Sequence, residues 1–265
     1  MPVLSNASAY GAIDTLWLAN ENYINVSSIT VPFPRHEFII NMGDTFEVEG
    51  AGYGQSFLFS PIATKAIHTR AKGRYHALGA MFNPVGLYKT FGLSLNELHQ
   101  QARKSPKDLL FDQDEALWQE LNLCTKDQEK LQVLAAFFKR NSHNRTVPKV
   151  VTNFFAGFSN KRSAHFEVKE MAKGLGFTSK HLINSFKDVV GLTPKQYTLL
   201  LQVNVAVHSI WKSPSRSLTE IALSAGFFDQ SHFIRVFKRI TGLTPLEFRN
   251  AQNRSGSEFA NTILE

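Results

Sequence analysis

The sequence predicts an α+β chain. A small β-barrel or sandwich with trailing helices occupies residues 1–158. An all-α part with two helix-turn-helix units joined by a long helix occupies 159–254, and 255–265 is a tail. Three observations carry this reading. From Tyr23 to Pro84 the apolar residues come in short runs broken by glycine and proline, and after Asn83-Pro84 their period becomes helical. One stretch near the end of the chain occurs twice, Phe166 to Tyr197 and Ser217 to Arg249. The basic residues follow that repeat: residues 160–254 hold 14 Lys/Arg against 6 Asp/Glu, whereas 1–159 hold 15 against 14.

In chain order, residues 1–20 are polar with scattered aromatics and predict no element. Ile24, Val26, Ile29 and Val31 alternate ahead of the Pro32-Phe33-Pro34 bend, and Glu37 to Asp44 reads as a strand ending in a turn. Gly50, Gly52 and Gly54 crowd a loop. Gln55–Ser60, Ala63–Arg70 and Arg74–Phe82 follow as strands, with Ala71-Lys72-Gly73 as a hairpin turn. Helices are expected over Val85–Phe91, Ser94–Ala102 (opened by the capping box Ser94-Leu95-Asn96-Glu97), Glu115–Leu121, Lys126–Asn141 and Pro148–Phe158. Leu131, Leu134, Ala135 and Phe138 share one face, either a dimer seam or a core contact with the barrel. Ser159 to Ala164 reads as a linker.

The later copy of the repeat opens with Ser217 and Glu220, a capping box, and Gly226 stops that helix at a position tolerant of positive φ. Asp229 caps the next helix, Gln230 to Thr241. Phe233, Val236, Phe237 and Ile240 form its apolar back, while Gln230, Ser231, Arg235, Lys238 and Arg239 form its front. Gly242 ends it, and Thr244-Pro245-Leu246-Glu247 opens a third helix. In the earlier copy Glu170 meets Glu220, Ala172 meets Ala222, Gly176-Phe177 meets Gly226-Phe227, and Phe186-Lys187 meets Phe237-Lys238. Gly191-Leu192-Thr193-Pro194 meets Gly242-Leu243-Thr244-Pro245. The later copy has one extra residue in its turn. A helical pattern from Pro194 to about Trp211 joins the copies and spans roughly 27 Å. Successive major-groove faces of DNA lie about 34 Å apart. A helix with an apolar back and a polar, basic front, held by a shorter helix, is what a major-groove reader requires.

Residues 160–250 thus resemble the DNA-binding domain of AraC/XylS-type bacterial transcription regulators, most clearly in A-x-x-x-G-F-x-D-Q-S-H-F-x-R-x-F-K-R-x-x-G-x-T-P. Carried over by position, the resemblance implies that Lys180, Ile183, Asn184 and Lys187 face bases from the first unit, and Gln230, Ser231, His232 and Arg235 from the second. Lys238 and Arg239 are expected on phosphate. His181 and His232 have packing at the helix start as their other reading, and Asp229 reads as a cap. One departure is clear: the joining helix of the family is rich in Arg, and here no Lys or Arg stands between Lys195 and Lys212. With Glu170 and Asp188 in the first copy, the first unit is expected to hold DNA less firmly than the second.

The run RHEFIINMGD, then FSP, then GAMFNPVGLYKTFGLSLNEL is similar to an N-terminal domain attached to some regulators of this family. That resemblance implies effector binding, dimerisation, or both. Arg35, Glu37, Arg74 and His76 are the candidate effector residues, and Arg70 reads as a surface charge. The expected partners are double-stranded DNA, RNA polymerase (the family's usual outcome being activation), a small-molecule effector and a second copy of the chain. A regulator without effector stays open.

No cofactor is expected. His36, His68 and His76 with Glu37 have the residue types of a metal site, but they stand on separate segments without the H-x-H spacing. The glycines at 50, 52 and 54 lack the strand-then-helix frame and Lys-Ser/Thr pair of a phosphate loop. No Ser-His-Asp framework or zinc spacing appears, so an enzyme is not expected; a barrel enzyme or metal-binding protein with an accessory nucleic-acid module is the alternative. Cys124 is the single cysteine, which excludes an internal disulfide, and reads as structural. With no signal-like opening and no apolar run of about 18 residues, a cytoplasmic, nucleoid-associated protein with no membrane partner is expected.

Overall fold

The computed structural model describes residues 3–6, 11–96, 114–160, 168–255 and 262–264. Its first half is one antiparallel sheet built on two long strands, β2 (Ile13–Thr30) and β7 (Ile67–Phe82). They pair along nearly their whole length, from Ile13↔Phe82 to Thr30↔Ile67. At one end β1 (Val3–Asn6) adds to β2, and β3 (His36–Asn41) adds to β7 with β6 (Ser56–Ser60) beyond it. At the other end the β4 (Phe46–Val48)–β5 (Ala51–Tyr53) hairpin adds to β7 through β4, and β8 (Thr262–Leu264) adds to β2.

Four sequence expectations are corrected here. Residues 67–82 form one strand, with no hairpin at Ala71-Lys72-Gly73. Gly73 takes φ +110°, and a Cβ there would collide with the Asp44 carboxylate, which accepts the Arg74 N–H at 2.8 Å. The register slips beside it, between Glu21 and Ile24, so the glycine serves a β-bulge and the strand runs on through it. The loop expected around Gly50–Gly54 contains β5. Residues 13–20, expected to form no element, are the start of β2. Part of the expected tail is β8. The Ser94–Ala102 helix lies largely outside the described residues.

Period-two alternation separates the two sheet faces. Leu16, Leu18, Phe38, Ile40, Leu78, Ala80 and Phe82 face one side and are buried. The helices that follow cover them: α1 (Gly86–Phe91), α2 (Asp114–Leu123) and α3 (Asp127–Arg140). Leu131, Leu134, Ala135 and Phe138 of α3 are all buried in this core, so the stripe is packed inside the chain and not left as a seam. Phe138 is its hub, with ring contacts to Phe38, Phe82, Phe91 and Phe137 at 5.6, 5.1, 6.1 and 5.5 Å.

A second core gathers around the later helices. These are α4 (Lys149–Asn160), α5 (Val168–Gly174), α6 (Ser179–Val190), α7 (Pro194–Lys212), α8 (Leu218–Ser224), α9 (Gln230–Thr241) and α10 (Pro245–Ser255). Val150, Val151 and Phe154 of α4 belong to it, and so do Val31, Ile62 and Tyr88 from the sheet half. The two halves therefore share buried apolar surface. Polar bonds reinforce the joint: Asn204 donates to the Pro32 carbonyl at 2.8 Å, the Ala66 N–H to the Ile240 carbonyl at 2.7 Å, and Ser94 to Asp188 at 3.1 Å.

Replacing Phe138 by Ala is expected to lower stability by about 3–5 kcal/mol, the usual cost of deleting a buried aromatic ring. Urea unfolding followed by circular dichroism checks this.

Candidate nucleic-acid interface

Both helix-turn-helix units are built from the same local bonds. In each, a glycine with positive φ ends the first helix: Gly176 at +74° and Gly226 at +90°. The next residue folds back, so that the Phe177 N–H donates to the Ala172 carbonyl at 2.8 Å and the Phe227 N–H to the Ala222 carbonyl at 2.9 Å. Then comes a cap. Thr178 Oγ1 accepts the His181 N–H at 3.2 Å, and Asp229 Oδ1 accepts the His232 N–H at 2.7 Å. Ser217–Glu220, Thr193–Gln196 and Thr244–Glu247 form reciprocal capping boxes that start α8, α7 and α10. Hydrogen bonds from Ser217 and Thr244 hold the carboxyls of Glu220 and Glu247 below the usual range.

The backs of α6 and α9 are buried: Leu182, Phe186, Val189 and Val190 on the first, Phe233, Val236, Phe237 and Ile240 on the second. Their fronts are open. Lys180 and Asn184 are exposed on α6, with Ile183 and Lys187 half-buried. On α9 Gln230, Ser231, Arg235, Lys238 and Arg239 are exposed. The ion pairs Arg35–Asp14 and Arg140–Glu120 lie in the first half, and no described residue of α6 or α9 joins one. His232 is half-buried with its ring 5.6 Å from Phe227, and His181 lies 5.4 Å from Phe177, so both histidines pack against the turn.

The two units are held by α7, whose 19 residues give about 28 Å. Tyr197, Leu200, Val203, Ala206, Val207 and Ile210 are buried along it. Gln202 donates to the Gly226 carbonyl at 2.9 Å and so ties this helix to the turn before α9, a positioning role the sequence did not announce.

The four effector candidates do not converge. Glu37 pairs in register with Met81, so it lies on the sheet face opposite Arg74 and His76. Arg74 Nη2 lies 3.4 Å from His76 Nδ1, and His76 Nε2 is 4.0 Å from Asp127 of α3. Burial first, then the charge of Arg74, holds the His76 pKa below its ordinary value, with Asp127 opposing. Arg35 pairs with Asp14, beside Tyr197 of α7, and thus stands at the joint between halves. Glu37 has other company. Burial raises its pKa to about 7, and an interaction with the Trp17 side chain opposes the rise. Tyr75 is pushed up to about 12 by burial and by the charge of Glu37. Gly79 makes room for the indole, since a Cβ there would lie 2.8 Å from ring atoms of Trp17. Trp17 and Tyr75 were invisible as site residues, because their relation to Glu37 comes from pairing between distant strands.

His36 does not join Glu37: it is fully buried, and its Nδ1 accepts the Ile62 N–H at 3.2 Å. Among the described residues no three His, Cys, Asp or Glu are grouped so that they could hold a metal ion, and no helix is long and apolar enough to cross a membrane.

Residues 171–251 match the family model described as "Helix-turn-helix domain". The probable transcription factor PqrA of Proteus vulgaris is 32% identical over 89 residues, which cover 34% of this chain and 72% of PqrA. The chain belongs to the AraC/XylS family of helix-turn-helix transcription regulators. That family consists of transcription regulators and not enzymes. The HTH-type transcriptional regulator ArgR of Pseudomonas aeruginosa is 36% identical over 94 residues, 36% of this chain and 28% of ArgR. The melibiose operon regulatory protein of Escherichia coli K12 is 23% identical over 120 residues, 45% of this chain and 39% of that regulator. The chain thus spans between about a quarter and two fifths of the length of these two relatives. Among solved structures, an apo variant of ToxT from Vibrio cholerae aligns with 89% of this chain and 96% of its own, at 10% identity and a TM-score of 0.45.

The cap and the buried carboxyl both have consequences for stability. Asp229→Ala is expected to cost about 1 kcal/mol through loss of the cap, measured by urea unfolding. The folded chain keeps the Glu37 proton up to about pH 7, whereas the unfolded chain releases it near 4.5. In that window the folded state binds more protons, so stability falls as pH rises, by on the order of 2 kcal/mol after discounting for partial exposure. Melting curves from pH 4.5 to 7.5 are expected to show this decline, and Glu37→Gln is expected to lose that part of it.

Proposed function

We propose that the chain is a sequence-specific transcription regulator, most simply an activator, in which α6 and α9 read two adjacent major grooves of double-stranded DNA. One observation carries the reading. Two helices with equivalent caps, buried apolar backs and open polar, basic fronts are held on one helix of about 28 Å. Gln230 and Asn184 have the amides that pair with adenine, and Arg235 and Lys180 the donors that pair with guanine. Ile183, Ser231, His232 and Lys187 complete the reading fronts. Lys238 and Arg239, in the last turn of α9, supply phosphate contacts whose strength depends on salt. RNA polymerase is the proposed protein partner and the cytoplasmic nucleoid the proposed location.

Residues 1–158 act in this proposal as the sensing or dimerising part and 159–254 as the DNA-binding part. Helix α4 and the Pro32, Ala66 and Ser94 contacts join them. Of the four effector candidates, Glu37 has the setting best suited to a small molecule: near neutrality it exchanges a proton, and Trp17 and Tyr75 flank it. Arg35 stands where such a ligand's effect would pass to α7. Arg74 and His76, paired across to Asp127, serve the packing of α3 on the sheet.

Selection from random duplex DNA with the full-length chain tests the function. One motif with two contact blocks about a helical turn apart is expected, and recovery of no motif would overturn the proposal. On the selected duplex, Arg235→Ala is expected to weaken binding by roughly 1–3 kcal/mol and relax one base position. It should cost more than Asn184→Ala. Lys238→Ala is expected to weaken all sequences alike and to flatten the salt dependence by about one ion.

A further inference from the structure

The two units differ at one place that their shared architecture does not require. Bond for bond, Gly176 corresponds to Gly226, Phe177 to Phe227, and the cap Thr178 to the cap Asp229. The rings also correspond: Phe177 packs 5.4 Å from His181, and Phe227 packs 5.6 Å from His232. The extra residue of the second unit is therefore Phe228, inserted between the core phenylalanine and the cap. Phe227 is 3% exposed, whereas Phe228 is 78% exposed. The turn closes in the first unit without such a residue, and most of this ring is open to water.

From this position we infer that Phe228 is a further specificity residue, whose ring packs on the 5-methyl group of a thymine at the edge of the site read by α9. The inference rests on the proposed DNA-reading function. Phe228 immediately precedes Asp229, whose side chain caps α9, and the exposed Gln230 and Ser231 follow at the end of the helix that enters the groove. Thymine alone among the four bases presents a methyl group in the major groove, and an apolar side chain is its natural partner. Covering the ring removes apolar surface from water on both sides of the contact. The first unit, lacking the insertion, has no equivalent methyl reader at that place, so the two half-sites are read unequally.

The test uses the full chain and the duplex recovered by selection, with each thymine replaced in turn by deoxyuridine, which removes only the methyl group. Binding is measured by fluorescence anisotropy for the wild type, Phe228→Ala and Arg235→Ala. At one thymine in the block assigned to α9 by Arg235→Ala, deoxyuridine is expected to weaken wild-type binding about fourfold, the worth of one buried methyl group. Phe228→Ala is expected to bind the thymine and deoxyuridine duplexes alike. Arg235→Ala is expected to keep the fourfold difference. If Phe228→Ala retains the thymine preference, or if no thymine in that block matters, the inference is overturned while the DNA-reading function stands. Unchanged DNA binding by Phe228→Ala would also overturn it and would direct the ring to a protein partner. Loss of all sequence preference in the wild type would overturn both.

Discussion

Nineteen residues of α7 lie between the two helix-turn-helix units, and neither unit closes a core without them. Tyr197 meets Phe154, Phe155 and Phe186 on the side of the first unit. Further along, Gln202 holds the turn of the second unit through the Gly226 carbonyl. Because protein interiors pack densely and resist small displacements, burial on one helix makes the separation of the two units a property of a rigid element. The helix buries Leu200, Val203, Ala206, Val207 and Ile210 and meets Pro32 of the sheet half through Asn204, while its open side carries Val205, His208 and Trp211 in place of arginine.

Sharing a scaffold has not kept the units alike. The second has the carboxylate cap, the inserted Phe228, and Arg235, Lys238 and Arg239 in the open. The first has a hydroxyl cap, Lys180 and Asn184 in the open, and Asp188 engaged by Ser94 of the sheet half. An acidic residue near a phosphate backbone opposes binding, and here its hydrogen bond faces the other half of the chain. The first unit thus meets the N-terminal part through Asp188 and the second through Ile240, and the second has more exposed basic side chains on its front.

The joint between halves is a mixed surface of apolar burial and backbone bonds. The Ala66 N–H reaches the Ile240 carbonyl near the end of α9, so a loop of the sheet half satisfies a group that a helix terminus leaves open. Movement of the sheet half would therefore be felt at α9, at α7 and at α6 together. A buried ionisable group such as Glu37 gives that half an internal charge whose state depends on its surroundings. Differential stabilisation of one arrangement is all that coupling between such parts requires.

What was legible from the sequence alone is what depends on residues three or four apart. Caps such as Ser217–Glu220 and Asp229–His232, glycine stops and the apolar backs of α6 and α9 are local interactions, and an internal repeat doubles each signal. The double helix-turn-helix and the exposed polar fronts of α6 and α9 follow from them. What only the tertiary structure decided depends on contacts between distant residues. Gly73 looks like a hairpin glycine until Asp44 and β2 are placed beside it. Glu37 and His76 look like one polar cluster until strand pairing sends them to opposite faces of the sheet. The α3 stripe suits a dimer as well as a core until Phe38 and Phe82 are seen to cover it. The sequence shows one extra residue in the later turn, and the equivalence of the two caps identifies it as Phe228. Sequence periodicity states which residues share a face, but which surface that face meets is settled by long-range pairing, and no local pattern encodes it.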